Sequence, residues 1–288
     1  MTDGVLVVDK PAGMTSHDVV DEIRRRFKTK KVGHAGTLDP DAIGVLLIGV
    51  GRATRFLSYA QDAPKRYDAI ARFGTTTSTQ DASGEVIESR PCSFSADELA
   101  RALEKFTGAI EQIPPMVSAV RIGGERLHVK ARRGEEVERA ARPVTIHELD
   151  LTAFRPGDVP EADLSVLCSS GTYVRTLIHD IGGALGCGAH MAALRRTETG
   201  GFTIAEATPL ADISTDHLQP LTEAVRVLPA IDLSDEDARA VENGHKLAAS
   251  IAPDLADGAL VALRAEGALV AVYRRAGDVL AADRVVPR

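Results

Sequence analysis

Residues Gly33-His34-Ala35-Gly36-Thr37-Leu38-Asp39-Pro40-Asp41-Ala42-Ile43-Gly44 lead directly into an apolar run, Val45-Leu46-Leu47-Ile48-Gly49-Val50. Glycines 33, 36 and 44, together with Pro40, demand backbone shapes that a regular element does not supply. The run that follows has the length and composition of a buried strand. The chain must therefore build a tight loop and anchor it to its core. One carboxylate, Asp39, is wedged between Leu38 and Pro40 in that loop. An isolated Asp-Pro only opens a turn. A carboxylate on a loop fixed by rigid elements is where a functional acid belongs.

Composition narrows the class. Apolar residues are 44% and charged residues 26% of 288, which suits a globular protein with a sizeable core in one large domain or two. No apolar run is long enough to span a bilayer, so no membrane partner is expected. The opening Gly4-Val5-Leu6-Val7-Val8-Asp9 reads as a strand and not as a leader. Cys92, Cys168 and Cys187 are isolated and lack metal-ligand spacing, which predicts free thiols in a reducing, cytoplasmic compartment. The net charge of −7 argues against a nucleic-acid partner only until its distribution is read. Arg24-Arg25-Arg26-Phe27-Lys28-Thr29-Lys30-Lys31 holds six cations and no anion just before the Asp39 loop. Arg121, Arg126, Lys130, Arg132, Arg133, Arg139 and Arg142 form a second basic segment, interspersed with acids. A charge run is usually a solvated face. Two of them, one abutting a candidate catalytic loop, fit a polyanion.

Periodicity predicts strands over 4–8, 45–50, 65–73, 144–154 and 162–169. Helices are expected from a Thr15/Ser16 cap to Phe27, over 53–60, from the Ser95–Glu98 capping box to Gly108, and over 172–185, 190–196 and 218–228. Residues 28–44 and 74–84 read as loops, and 115–142 as a polar, basic excursion beyond Pro114-Pro115. After Pro229 short β-like runs suggest a small appendage. Its net-acidic composition predicts little long-range attraction for RNA. Gly49-Val50-Gly51 lacks the third glycine of a dinucleotide loop, and no phosphate-loop lysine or metal-binding histidine spacing occurs. His179-Asp180 lies in an apolar helical pattern and reads as structural.

Four segments remain: Asp9-Lys10-Pro11-Ala12-Gly13-Met14-Thr15-Ser16, the Asp39 loop, Lys65-Arg66-Tyr67, and Ser169-Ser170-Gly171-Thr172-Tyr173-Val174-Arg175. In this order, and joined by the segments 74–84, 114–120 and 193–196, the set closely resembles the bacterial tRNA pseudouridine-55 synthase (TruB) family. The resemblance runs from about Val5 to Phe202; the tail is less distinctly similar to the family's PUA-type RNA-binding appendage. It implies an α+β fold: a mixed, largely antiparallel central sheet flanked by helices, plus a small β-rich PUA-like C-terminal domain. The implied domains are a catalytic 1–228, with an RNA-binding insertion at about 115–142, and 229–288. The implied reaction isomerises uridine 55 in the tRNA T stem-loop, with base flipping and neither cofactor nor metal; a monomer is the default expectation.

The resemblance also assigns roles. Asp39 would be the catalytic carboxylate, either attacking the anomeric carbon or taking a proton from the adjacent sugar carbon. An enclosed carboxylate needs a cation to stay ionised, and Arg175 has the planar fork for it. Tyr67 would stack on the flipped uracil and serve the final deprotonation. Tyr173 and Leu194 would wall the pocket, and His34 would take the space the nucleotide vacates. Lys10 would support the Asp39 loop or contact RNA, and Arg132 and Arg133 would contact RNA phosphates. Two other readings stay open: an RNA-remodelling protein without catalysis, and a synthase acting on other RNA.

Overall fold

The computed structural model describes residues 3–118, 120–135 and 137–287. The chain begins with β1 (Gly4–Lys10), α1 (Ser16–Arg26), β2 (Val32–Ala35), β3 (Ile43–Val50), α2 (Leu57–Gln61), β4 (Lys65–Phe73), β5 (Thr75–Thr77) and β6 (Val86–Ser89). Next come α3 (Ala96–Glu104), β7 (Gly108–Gln112), β8 (Arg121–Ile122), β9 (Glu125–Arg126), α4 (Leu127–Arg132), β10 (Arg142–Arg155), β11 (Glu161–Cys168) and α5 (Val174–Ala184). It closes with β12 (Ala189–Thr199), β13 (Phe202–Thr203), β14 (Thr208–Pro209), β15 (Ala230–Asp232), α6 (Asp235–Glu242), β16 (Leu247–Ala248), β17 (Leu260–Ala265), β18 (Ala268–Ala276) and β19 (Val279–Val285). Two units emerge, one from residues up to 40, 44–63 and 199 onward, the other from 41–43 and 64–198.

In the first unit β1 lies between β3, antiparallel, and β14, parallel, while β2 pairs antiparallel with β3. Both faces of this sheet are covered, so its strands are continuously apolar. Val5, Val7, Val45 and Leu47 enter one core, and Leu6, Val8, Leu46 and Ile48 enter another beneath α1. Helix α1 starts where a capping box predicts: Thr15 and Asp18 satisfy each other's backbone amides. The C-terminal residues build a five-stranded sheet in the order β15-β17-β18-β19-β16 with its own core around Val241, Val261 and Tyr273. Ala262, Leu269 and Val272 also join the core that holds Val5, Val7 and Phe56. The Tyr59 hydroxyl bonds the Asp283 carboxylate, and Arg52 links Asp3 at 2.6 Å to the Pro287 carbonyl at 3.0 Å.

In the second unit the sheet order is β12-β4-β11-β10-β7. Strand β4 alternates as its sequence predicts: Tyr67, Ala69, Ala71 and Phe73 are buried together with Lys65, while Asp68 and Arg72 are exposed.

Four expectations are corrected. Residues 190–196 are not a helix but part of β12, because pairing in the sheet overrides the helix propensity of Ala, Met and Leu. Within the expected loop 28–44, residues 32–35 form a strand, held by the register His34↔Ile48. The helix expected over 218–228 shrinks to a 3-10 turn at Leu221–Val225 behind Pro220. Cys92 and Cys187 are not free thiols but form a disulfide, with Cα atoms 5.4 Å apart.

Candidate active site

Asp39 is partly buried, and the peptides on both sides of it are clamped. The Leu38 amide donates to Ser16 Oγ at 2.9 Å, and the same hydroxyl donates to the Leu38 carbonyl at 3.3 Å. On the other side, the Pro40 carbonyl accepts from Lys10 Nζ at 2.9 Å and from the Gly13 amide at 3.0 Å. Lys10 is fully buried and also donates to the Pro11 and Met14 carbonyls, at 2.8 and 2.6 Å. A buried ammonium is costly unless its donors are used; here three carbonyls draw the 10–14 and 38–40 segments together. Gly36 has φ 77° and Gly13 φ 79°, the left-handed region that glycine enters without a Cβ penalty. His34, partly buried on β2, belongs to the same unit.

The other candidates lie in the second unit. Tyr67 is 7% exposed on β4, opposite Val166 of β11. Arg175 is buried in the first turn of α5. Its Nη1 meets the Asp81 carboxylate at 3.4 Å, its Nη2 donates to the Val117 carbonyl at 2.6 Å, and its guanidinium lies 5.8 Å from the Tyr173 ring centroid. Asp81 is itself held: one oxygen accepts from Thr79 Oγ1 at 2.6 Å, Ser83 Oγ at 2.6 Å and the Ser83 amide at 3.0 Å. Burial pushes Asp81 up, but the bonds from Ser83 and Thr79 and the Arg175 charge outweigh it and keep its pKa below the ordinary value. Its backbone bridges Met191 at the start of β12, the strand that carries the half-buried Leu194. Tyr173 and Arg175 are thus brought together with Asp81, a residue the sequence leaves unremarked in a polar loop. Ser16 was equally hidden, because a hydroxyl at a helix start reads as a cap.

The basic segments look different in three dimensions. Arg26 donates to the carbonyls of Leu210 at 2.7 Å, Ala211 at 3.0 Å and Ile213 at 3.3 Å, and pairs with Glu22. Arg24 and Arg25 pair with Asp21 and Glu22. In the insertion, Arg133 forks onto Glu125 at 2.9 and 2.6 Å and reaches Glu135 at 2.7 Å. Arg132 ends α4, and its side chain lies outside the described residues. Cys168 is a buried thiol whose pKa burial pushes up to about 11, which makes it inert. Among the described residues no helix is long and apolar enough to cross a membrane.

Residues 24–174 match the N-terminal domain of the TruB family of pseudouridylate synthases, and residues 175–227 match the tRNA pseudouridylate synthase B C-terminal domain. The chain belongs to the TruB family. It is 48% identical over 258 residues to the tRNA pseudouridine synthase B of Thermobifida fusca, covering 87% of this chain and 88% of that one. It is 46% identical over 283 residues to that of Corynebacterium aurimucosum, covering 96% and 94%. Among solved structures, the fold is similar to a chain of a Cbf5-Nop10-Gar1 complex, with TM-score 0.79 and 29% identity over 100% of this chain and 86% of that one. The mixed sheets with flanking helices and a β-rich C-terminal part are the pseudouridine synthase fold.

Proposed function

We propose that this TruB-family protein converts uridine 55 in the T stem-loop of tRNA to pseudouridine, as a monomer in the cytoplasm. The observation that carries the reading is the clamp on both sides of Asp39. Both routes to breaking the glycosidic bond, attack on the anomeric carbon or proton removal from its neighbour, need one carboxylate held in place. Ser16 and Lys10 supply that hold through the backbone. The base must leave the stack to be reached, at a cost of a few kcal/mol. His34 takes up the vacated space, and Tyr67 offers the uracil an aromatic face and a phenol for the last proton. Arg175 is the cation of the reaction, and Tyr173 and Leu194 enclose the base. No redox change or hydrolysis occurs, so the chemistry calls for no cofactor. Arg132 and Arg133 contact phosphates, and residues 229–288 act as a PUA-like RNA-binding module beside the catalytic 1–228.

Tritium release from uracil-labelled tRNA transcript tests this. Asp39→Asn keeps the shape but is neither nucleophile nor base, so it should abolish release and leave tRNA binding within several-fold. Full activity of the asparagine variant, with deamidation excluded, sinks the assignment. Release from a transcript lacking uridine 55 would move the target elsewhere.

A further inference from the structure

Gln112 is 2% exposed, at the last position of β7, and its side-chain amide is spent on one backbone unit. Its Oε1 accepts from the Tyr173 amide at 3.1 Å, and its Nε2 donates to the Tyr173 carbonyl at 3.3 Å. The pair imitates one rung of a sheet. Tyr173 caps α5 but contributes no side-chain cap, so this rung holds the helix entry from outside, beside the Thr172–Ser169 turn that precedes it. Five residues on, the Val117 carbonyl holds Arg175 Nη2 at 2.6 Å. Between them, the Pro114 carbonyl accepts from Arg139 at 3.2 Å, tying the two ends of the insertion. Segment 112–117 therefore references both Tyr173, through its backbone, and Arg175, through its guanidinium.

We propose that Gln112 is a positioning residue for the isomerisation: the root of the insertion sets the first turn of α5, and with it Tyr173 and Arg175, through the Gln112 amide. The inference rests on the roles given above to Tyr173 and Arg175. An insertion that grips RNA is then mechanically continuous with the residues that meet the base, and docking of the stem reports to the reaction centre along five residues of chain. Small misplacements of a reacting constellation cost up to about a hundredfold in rate.

The test exploits the chemistry of the rung. A protonated glutamic acid at this position can both accept and donate, as glutamine does; a carboxylate can only accept and faces the Tyr173 carbonyl with a second lone pair. Burial favours the neutral form of such a carboxyl, so its population grows as pH falls. Single-turnover tritium release at saturating tRNA is measured for wild type, Gln112→Ala and Gln112→Glu, from about pH 8 down to about pH 6. Gln112→Ala should lose about tenfold or more in rate, with tRNA affinity within about threefold. Gln112→Glu should be slow at high pH and recover towards wild type as pH falls. A wild-type rate for Gln112→Ala overturns the proposal, and so does a Gln112→Glu rate whose ratio to wild type is flat with pH. If Gln112→Ala does not fold, the pH comparison within Gln112→Glu decides alone. Arg175→Lys runs beside them: an inactive wild type, or a fully active Arg175→Lys, refutes the site reading itself, whereas a failure confined to the Gln112 variants refutes only this inference.

Discussion

Ser16 Oγ binds both polar groups of Leu38, accepting its amide at 2.9 Å and donating to its carbonyl at 3.3 Å, 22 residues away in sequence and next to Asp39. Ser16→Ala removes both bonds at once and leaves a buried amide unpaired, a cost of about 1–3 kcal/mol. Chemical denaturation should show that loss. Single-turnover isomerisation should fall further than stability explains, because the Asp39 loop loses the anchor at Leu38. Unchanged rate and stability would mean that the clamp at Pro40 suffices.

The Asp81–Arg175 pair sets an acid limb. The Asp81 pKa is depressed below its unfolded reference of 3.8. Its contribution is therefore fully present above that value and is lost as pH falls through the lower folded value. Asp81→Asn should flatten the acid side of the stability–pH curve and slow isomerisation about tenfold, since Arg175 loses a partner that orients it. A curve of wild-type steepness in acid would show that other carboxylates carry the limb.

Arg26 and Arg133 should separate cleanly. Arg26→Ala should cost about 1–3 kcal/mol of stability, because three carbonyls near residues 210–213 lose their donor. It should leave the salt dependence of tRNA binding unchanged. Arg133→Ala should do the opposite, reducing the log–log salt slope by about 0.7–0.9 if the fork leaves Glu125 for phosphate. Identical slopes would show that Arg133 stays on its carboxylates.

The Cys92–Cys187 bridge closes a segment of 95 residues. Loop-closure reasoning assigns a bridge of this span about 4.7 kcal/mol, and measured bridges typically contribute about 2–4 kcal/mol. Reductant, or Cys92→Ser, should lower the melting temperature, and reductant should not affect the serine variant further. Equal melting with and without reductant would mean that the bridge contributes nothing to stability.

What the sequence made legible was local. The Thr15–Asp18 and Ser95–Glu98 capping boxes are contained within four residues, and the alternation of β4 within nine, so their signals needed no distant partner. The failures share a cause. Ala189–Thr199 is a strand only because a sheet receives it, and Val32–Ala35 only because β3 lies alongside. Partners far apart in sequence were invisible for the same reason: Cys92 with Cys187, Arg26 with the carbonyls near 210, Asp81 with Arg175. The Asp39 loop was readable because its backbone demands are written in its own glycines, whereas the hydroxyl and ammonium that clamp it come from another segment.

The core shared by Val5, Val7, Ala262, Leu269 and Val272 has a consequence for how the protein is made. The first strand to leave the ribosome cannot complete the core on one of its faces until nearly the whole chain has been synthesised. Residues 64–198 are continuous and can close their sheet in the meantime. Synthesis therefore favours a nascent state with a finished middle and an amino-terminal strand whose apolar face is incompletely covered, the kind of surface that chaperones guard. A ribosome stalled before residue 260 would hold the protein at that stage.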